Sequence, residues 1–259
     1  MRILGAGEPT LIFVHGYACG QDDWDRQLDA LAKNFRCIAF DLPGHGTSPL
    51  PGTVSIEAMA ATVNGVKEQV GGSKFVLIGH SMGCRVVTEA YRQSSTNVVG
   101  LVFVDGGKFD GNFESAMNSR MSRIDRDGMD AVTVQSVENM FIDKFDPEVR
   151  QHITRRALGI DPAFRRELIL QLLRWDLIEA EDALKQVGVP VLALQSTYFG
   201  PDFKLAALQP GMTTPWLDLV ADFIPNAEIE IVPDVGHFTM IEAAPAVNAA
   251  LARFATKIA

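Results

Sequence analysis

The residues Gly79-His80-Ser81-Met82-Gly83 place a serine between two glycines at the spacing G-x-S-x-G. A serine in that pattern sits on a tight strand-to-helix turn, with its hydroxyl lifted into a cleft. Side chains at the two glycine positions would collide with neighbouring backbone, and the helix N-terminus below favours incoming negative charge. Five residues are a weak pattern by themselves. Here an apolar run at 75–78 precedes them, and a helical pattern through Arg85, Val86, Val87, Glu89 and Ala90 follows. A plain glycine turn would leave that context unexplained.

A serine hydroxyl is a poor nucleophile without a base. The chain has five histidines. His80 adjoins Ser81, and its side chain is expected to diverge from the hydroxyl. His15 and His45 fall in early loops, and His152 in a charged helical stretch. His237, in Asp234-Val235-Gly236-His237-Phe238, follows the last strand pattern. It stands at the C-terminal edge of the sheet, where sites in open α/β sheets gather. His237 is therefore the expected base, preferred over a purely structural loop histidine. Charge developing on an oxygen needs backbone N–H donors. One should come from Met82 and the other from Tyr17, in the loop His15-Gly16-Tyr17-Ala18. The Tyr17 side chain is also expected to line the pocket, and His15 to orient the loop.

These residues need a sheet to hold them. Apolar runs at 11–14, 35–40, 75–78 and 98–104 alternate with helical patterns at 22–34, 55–70 and from about 82 to 93. Near-continuous apolar strands separated by amphipathic helices indicate a mostly parallel central sheet with helices on both faces. The alternation stops at Gly106-Gly107. Residues 108–187 read as helical and charged, an inserted cap or lid. Strand patterns resume at 189–194 and 229–232, before a last helix near 243–257. The expected organisation is a core of residues 1–107 and 188–259 with a cap at 108–187.

His15-Gly16, Asp41-Leu42-Pro43-Gly44-His45-Gly46, the serine motif and Gly236-His237-Phe238 together resemble the α/β-hydrolase superfamily, in its order and spacing, over nearly the whole chain. The resemblance implies the α/β-hydrolase fold with shortened or missing N-terminal strands. It also implies acyl transfer, in which Ser81 is acylated and His237 moves the proton. The Asp41 to Gly46 segment is scaffold in this reading. Superfamily members that open epoxides or displace halide carry a carboxylate where Ser81 stands, so serine argues against those reactions. The third triad member departs from the usual pattern. Most members carry it shortly after the strand that corresponds to 191–194, but that loop here reads Gln195-Ser196-Thr197-Tyr198-Phe199-Gly200-Pro201-Asp202. Tyr198 or Phe199 occupies the usual place. The superfamily's second location, the end of the preceding strand, is Asp105. Asp105 is therefore the expected acid, with Asp202 and Asp234 as alternatives.

Composition bounds the partners. The 259 residues carry 23 basic and 32 acidic side chains, a net charge of −9, with 47% hydrophobic and 21% charged residues. That is a globular composition. It excludes a disordered chain and argues against nucleic-acid binding, which needs a basic footprint. No apolar run suits a signal peptide or a membrane span, so a soluble cytoplasmic protein is expected. Cys19, Cys37 and Cys84 show no paired spacing and read as reduced buried thiols. No metal or cofactor is called for. Phe109, Trp175, Tyr198 and Phe238 join Tyr17 as candidate pocket residues, although Trp175 equally suits packing. Their bulk favours a small or medium, apolar carboxylic ester as substrate of a monomer or homodimer. C–C hydrolases of ring-cleavage products, lactonases, thioesterases and perhydrolases share the constellation. A hydrolase-like ligand receptor, acylated once with little turnover, is the non-enzyme alternative.

Overall fold

Residues 1–142, 145–200 and 204–259 are described by a computed structural model. Its strands are β1 (Arg2–Leu4), β2 (Thr10–Val14), β3 (Cys37–Ala39), β4 (Phe75–His80), β5 (Val98–Val104), β6 (Val191–Gln195), β7 (Thr197–Phe199), β8 (Leu205–Ala207) and β9 (Glu228–Ile231). Seven of them form one sheet in the order β1-β3-β2-β4-β5-β6-β9. Within that sheet, among the described residues, only the β1–β3 pairing is antiparallel. The central strands β2 and β4 are buried along their whole length, as strands covered on both faces must be. One short N-terminal strand thus remains of the edge that the resemblance expected to be reduced. The apolar run at 35–40 pairs only over Cys37–Ala39.

Helices cover both faces. A 3₁₀ turn (Gln21–Trp24) leads into α1 (Asp25–Leu31), so the helix expected at 22–34 is shorter and enters through a tighter turn. It is followed by α2 (Ile56–Val70) and α3 (Met82–Gln93). Between β5 and β6 lie α4 (Phe113–Asp127), α5 (Met129–Glu138), α6 (Pro147–Leu158), α7 (Pro162–Arg174) and α8 (Ala180–Leu184). After the sheet resumes come α9 (Pro215–Phe223), α10 (Thr239–Glu242) and α11 (Ala244–Lys257). Five of these helix starts are written in side chains. Ser55, Asn112, Asp146, Asp161 and Thr214 each accept a hydrogen bond from the first turn, and proline follows three of them. A proline at the first helical position loses no hydrogen bond. The β7–β8 hairpin and α9 were not anticipated, although Thr214-Pro215 before Trp216, Leu217 and Val220 is a readable start signal.

The insertion docks through charge. A π turn, Trp175–Glu179, continues α7 and turns Asp176 inward. There the Arg85 guanidinium donates from Nε and Nη2 to both carboxylate oxygens at 2.6 Å, and the Phe109 N–H donates to one of them at 2.8 Å. Burial alone would lower the Arg85 pKa, and the Asp176 charge more than offsets it. Arg156 on α6 reaches Asp22 at 2.6 Å and Asp23 at 2.7 Å in the 3₁₀ turn. Helix α8 packs on α3 and α9, so the chain rejoins the core before residue 187. Trp24, Trp175 and Trp216 are fully buried. Among the described residues no helix is long and apolar enough to cross a membrane.

Candidate functional site

Ser81 stands between the last residue of β4 and the first of α3, with φ 53° and ψ −115°. A non-glycine residue there is strained, and such strain persists where the surroundings over-determine it. The surroundings here are backbone. A Cβ on Gly79 would lie 2.2 Å from the Gly83 carbonyl oxygen, and one on Gly83 would lie 2.3 Å from that of Val14. The two glycines let the turn close against itself and against β2. Among the described residues the Ser81 hydroxyl has no hydrogen-bond partner. Links between nucleophile and base are often long before substrate binds.

Asp105 also has positive φ, 46°, at the end of β5. Its carboxylate is fully buried and takes four hydrogen bonds. Oδ1 accepts from the N–H groups of Ser196 (2.7 Å) and Thr197 (2.8 Å). Oδ2 accepts from the Thr197 hydroxyl (2.6 Å) and from His237 Nδ1 (2.7 Å). Burial pushes the Asp105 pKa up, but His237, Thr197 and Ser196 more than offset it and hold the group below the ordinary carboxylate value. With Nδ1 donating to Asp105, His237 Nε2 is left as the basic nitrogen. Asp234 is exposed and accepts from the Gln209 amide at 3.0 Å. Asp202 lies outside the described residues.

Three more histidines build this site. His80 is buried and donates from Nε2 to the His237 carbonyl at 2.8 Å, its ring centre 4.7 Å from that of His237, and so ties the His237 loop to the serine turn. Burial lowers its pKa to about 3. His15 donates from Nδ1 to the Gly16 carbonyl (2.8 Å) and accepts at Nε2 from the Leu42 N–H (2.9 Å). His45 donates to the Pro43 carbonyl (3.1 Å) and accepts at Nε2 from the Ala18 N–H (3.3 Å). Burial lowers the His45 pKa to about 4, and burial together with the neighbouring His45 lowers that of His15. Two neutral rings therefore pin the 15–18 loop to the turn after β3. In that loop the Tyr17 N–H is taken up by no turn hydrogen bond, and neither is that of Met82.

The candidate pocket residues fall into two groups. Phe109 and Tyr198 are at the boundary between buried and exposed. Tyr17, Trp175 and Phe238 are part of the packed core. Phe238 stacks on Phe141 at 5.4 Å, and the His237 N–H donates to the Met140 carbonyl at 3.3 Å, so the insertion lies directly on the histidine loop. Cys19, Cys37 and Cys84 are free and buried. Sequence reasoning missed Ser196 and Thr197 as partners of Asp105, and His80 as a tether. The first two stand in the very loop where the superfamily's usual acid is absent.

Over residues 11–250 the chain matches the model of the alpha/beta hydrolase family. It is 33% identical over 101 residues to the dihydrolipoyllysine-residue acetyltransferase component of the acetoin cleaving system of Cupriavidus necator, covering 39% of this chain and 27% of that protein. The Pseudomonas putida protein of the same name is 28% identical over 268 residues, covering 98% of this chain and 65% of that one. The chain thus spans less than two thirds of the length of either relative. A thermophilic esterase from Thermogutta terrifontis superposes with a TM-score of 0.80 at 23% identity, over 99% of this chain and 92% of that one. An enol-lactonase from Burkholderia xenovorans gives 0.80 at 20% identity, over 98% and 95%.

Proposed function

The chain belongs to the alpha/beta hydrolase family, and from that premise we propose that it is a serine hydrolase of small-to-medium carboxylic esters. The observation that carries the reading is the buried Asp105–His237 pair, 2.7 Å apart, in a loop tethered through His80 to the strained Ser81 turn. In this mechanism Ser81 Oγ attacks the ester carbonyl carbon and gives its proton to His237 Nε2. The N–H groups of Tyr17 and Met82 hold the tetrahedral oxyanion. The intermediate collapses, the C–O bond to the alcohol breaks, and His237 returns the proton to the leaving oxygen. Water then attacks the acyl-enzyme, His237 takes its proton, and the acid leaves as Ser81 is restored. Asp105 keeps the Nδ1–H tautomer and stabilises the imidazolium that forms twice per cycle. Helices α4 to α7 serve as the lid that keeps bulk water out during these steps.

A chain-length series of p-nitrophenyl esters tests the proposal. Wild-type protein should turn over one or more members, and Ser81→Ala should lower kcat by about 10⁴–10⁶-fold. A single stoichiometric burst without steady turnover would favour the receptor alternative. Absence of Ser81-dependent hydrolysis at every length would overturn the esterase reading.

A further inference from the structure

Every arginine among the described residues other than Arg120 has an oxygen acceptor or an ion-pair partner. Arg120, in the middle of α4, instead has its guanidinium 5.7 Å from the centre of the Phe109 ring. Burial and the like charge of Arg123 both lower its pKa, and only the Tyr17 hydroxyl acts in the opposite sense. No carboxylate compensates it. The Arg85 guanidinium lies 6.0 Å from the same ring, but Asp176 already neutralises it.

Tyr17 supplies the other half of the observation. Its hydroxyl is buried and meets no described residue in good hydrogen-bonding geometry, although Thr133 is close enough to interact with it and Arg165 and Arg120 also face it. Thr133 and Arg165 are occupied with each other at 2.6 Å, and Arg165 also holds Asp130 and the Ile160 carbonyl. Leaving a buried hydroxyl and a half-buried guanidinium both without acceptors is costly unless a ligand supplies them. The two groups sense each other, and the backbone N–H of Tyr17 is the one assigned to the oxyanion in the proposed mechanism.

We propose that the ester substrate also carries a carboxylate, and that Arg120 and the Tyr17 hydroxyl receive it. The inference rests on the serine-hydrolase reading and narrows its substrate class. One uncompensated cation with one neutral O–H donor suits a monoanion. A phosphate dianion would need a second free cation, and Arg85 and Arg165 are both taken by acids. Phe109 gives the spacer between ester and carboxylate an apolar wall. The substrate is thus apolar along its length and anionic at one end, either the acyl or the alcohol end.

Two pairs of probes separate the ends. On the acyl side, mono-p-nitrophenyl adipate is compared with methyl p-nitrophenyl adipate. On the alcohol side, 4-carboxyphenyl hexanoate is compared with its methyl ester. In one pair, wild-type kcat/KM should favour the acid by about 10–100-fold, the usual worth of a charge-assisted hydrogen bond. In Arg120→Gln that ratio should fall to near one, and in Arg120→Lys to an intermediate value, because the charge stays and the fork is lost. Tyr17→Phe, which keeps the ring and the backbone N–H, should lower the ratio a few-fold. Arg166→Gln, an exposed partner of Asp125, controls for the general field of the protein and should keep the wild-type ratio. Wild-type ratios near one in both pairs, with Ser81-dependent turnover of the neutral esters intact, overturn this inference and leave the hydrolase reading standing. So does a ratio that Arg120→Gln leaves unchanged. Loss of Ser81-dependent turnover for every ester overturns the hydrolase reading itself.

Discussion

The ends of the strands and the helical insertion face each other across the site, but they are built by different means. At the strand ends, geometry is set by backbone. Ser81 and Asp105 both sit at positive φ, Gly79 and Gly83 admit no side chain, and Asp105 takes two of its four hydrogen bonds from main-chain N–H groups. In the insertion, position is set by side chains. Arg85–Asp176, Arg156–Asp23 and Arg165–Asp130 carry it, with Phe141 stacked on Phe238. Backbone bonds cannot be substituted away one residue at a time, whereas an ion pair is changed by one codon. In the proposed function the chemistry therefore falls on the side set by backbone, and Arg120 on the side set by side chains, which is easier to alter.

The strongest challenge to this contrast is Asp105→Asn. The amide still fits among Ser196, Thr197 and His237, but its NH₂ would face a donor, so the imidazole turns to the wrong tautomer. Steady-state kinetics should show kcat lower by about 10³–10⁴-fold. If instead kcat is nearly normal, the acid lies elsewhere and Asp202 becomes the next residue to substitute.

On the insertion side, Arg85→Met leaves Asp176 buried without its counter-charge. Breaking such a pair costs about 3–5 kcal/mol. The double variant Arg85→Met/Asp176→Leu should recover much of that loss. It will not recover all, because the Phe109 N–H still loses its acceptor, at about 1–3 kcal/mol. Urea midpoints of the two variants and the wild type give the comparison. Equal losses in the single and double variants would mean that the pair does not hold the insertion by charge.

The same contrast explains what could be read from the sequence. The sheet was legible because its strands are near-continuous apolar runs, and the serine turn because a Cβ at either glycine would lie 2.2–2.3 Å from backbone oxygen. Asp105 could be nominated because it ends a strand. Its donors could not, since Ser196 and Thr197 act through geometry between β5 and the residues after β6 that no local pattern encodes. Arg120 was equally silent. An arginine in a charged helix looks solvated until the structure shows that its neighbours have spent their carboxylates on other arginines. Trp175 and Phe238 fell in the core because bulk alone does not tell a pocket wall from packing.

The smallest effect concerns the loop that joins the two sides. His15 and His45 hold residues 15–18 by accepting N–H groups at Nε2, which requires neutral rings. Protonation would set N–H against N–H. The His45 pKa is lowered to about 4 in the fold, against an ordinary value of 6.5 in the unfolded chain. The unfolded chain therefore binds the proton first as pH falls. Its contribution to stability is complete above about pH 6.5 and is lost progressively toward about pH 4. The slope for one such histidine approaches about 1.4 kcal/mol per pH unit. His80 adds to the same trend and extends it toward about pH 3. Denaturant midpoints measured across this range should fall with acidity. His45→Gln, whose side chain offers an oxygen acceptor to the Ala18 N–H but does not titrate, should flatten the slope. An unchanged slope would show that His45 is not a source of the acid sensitivity.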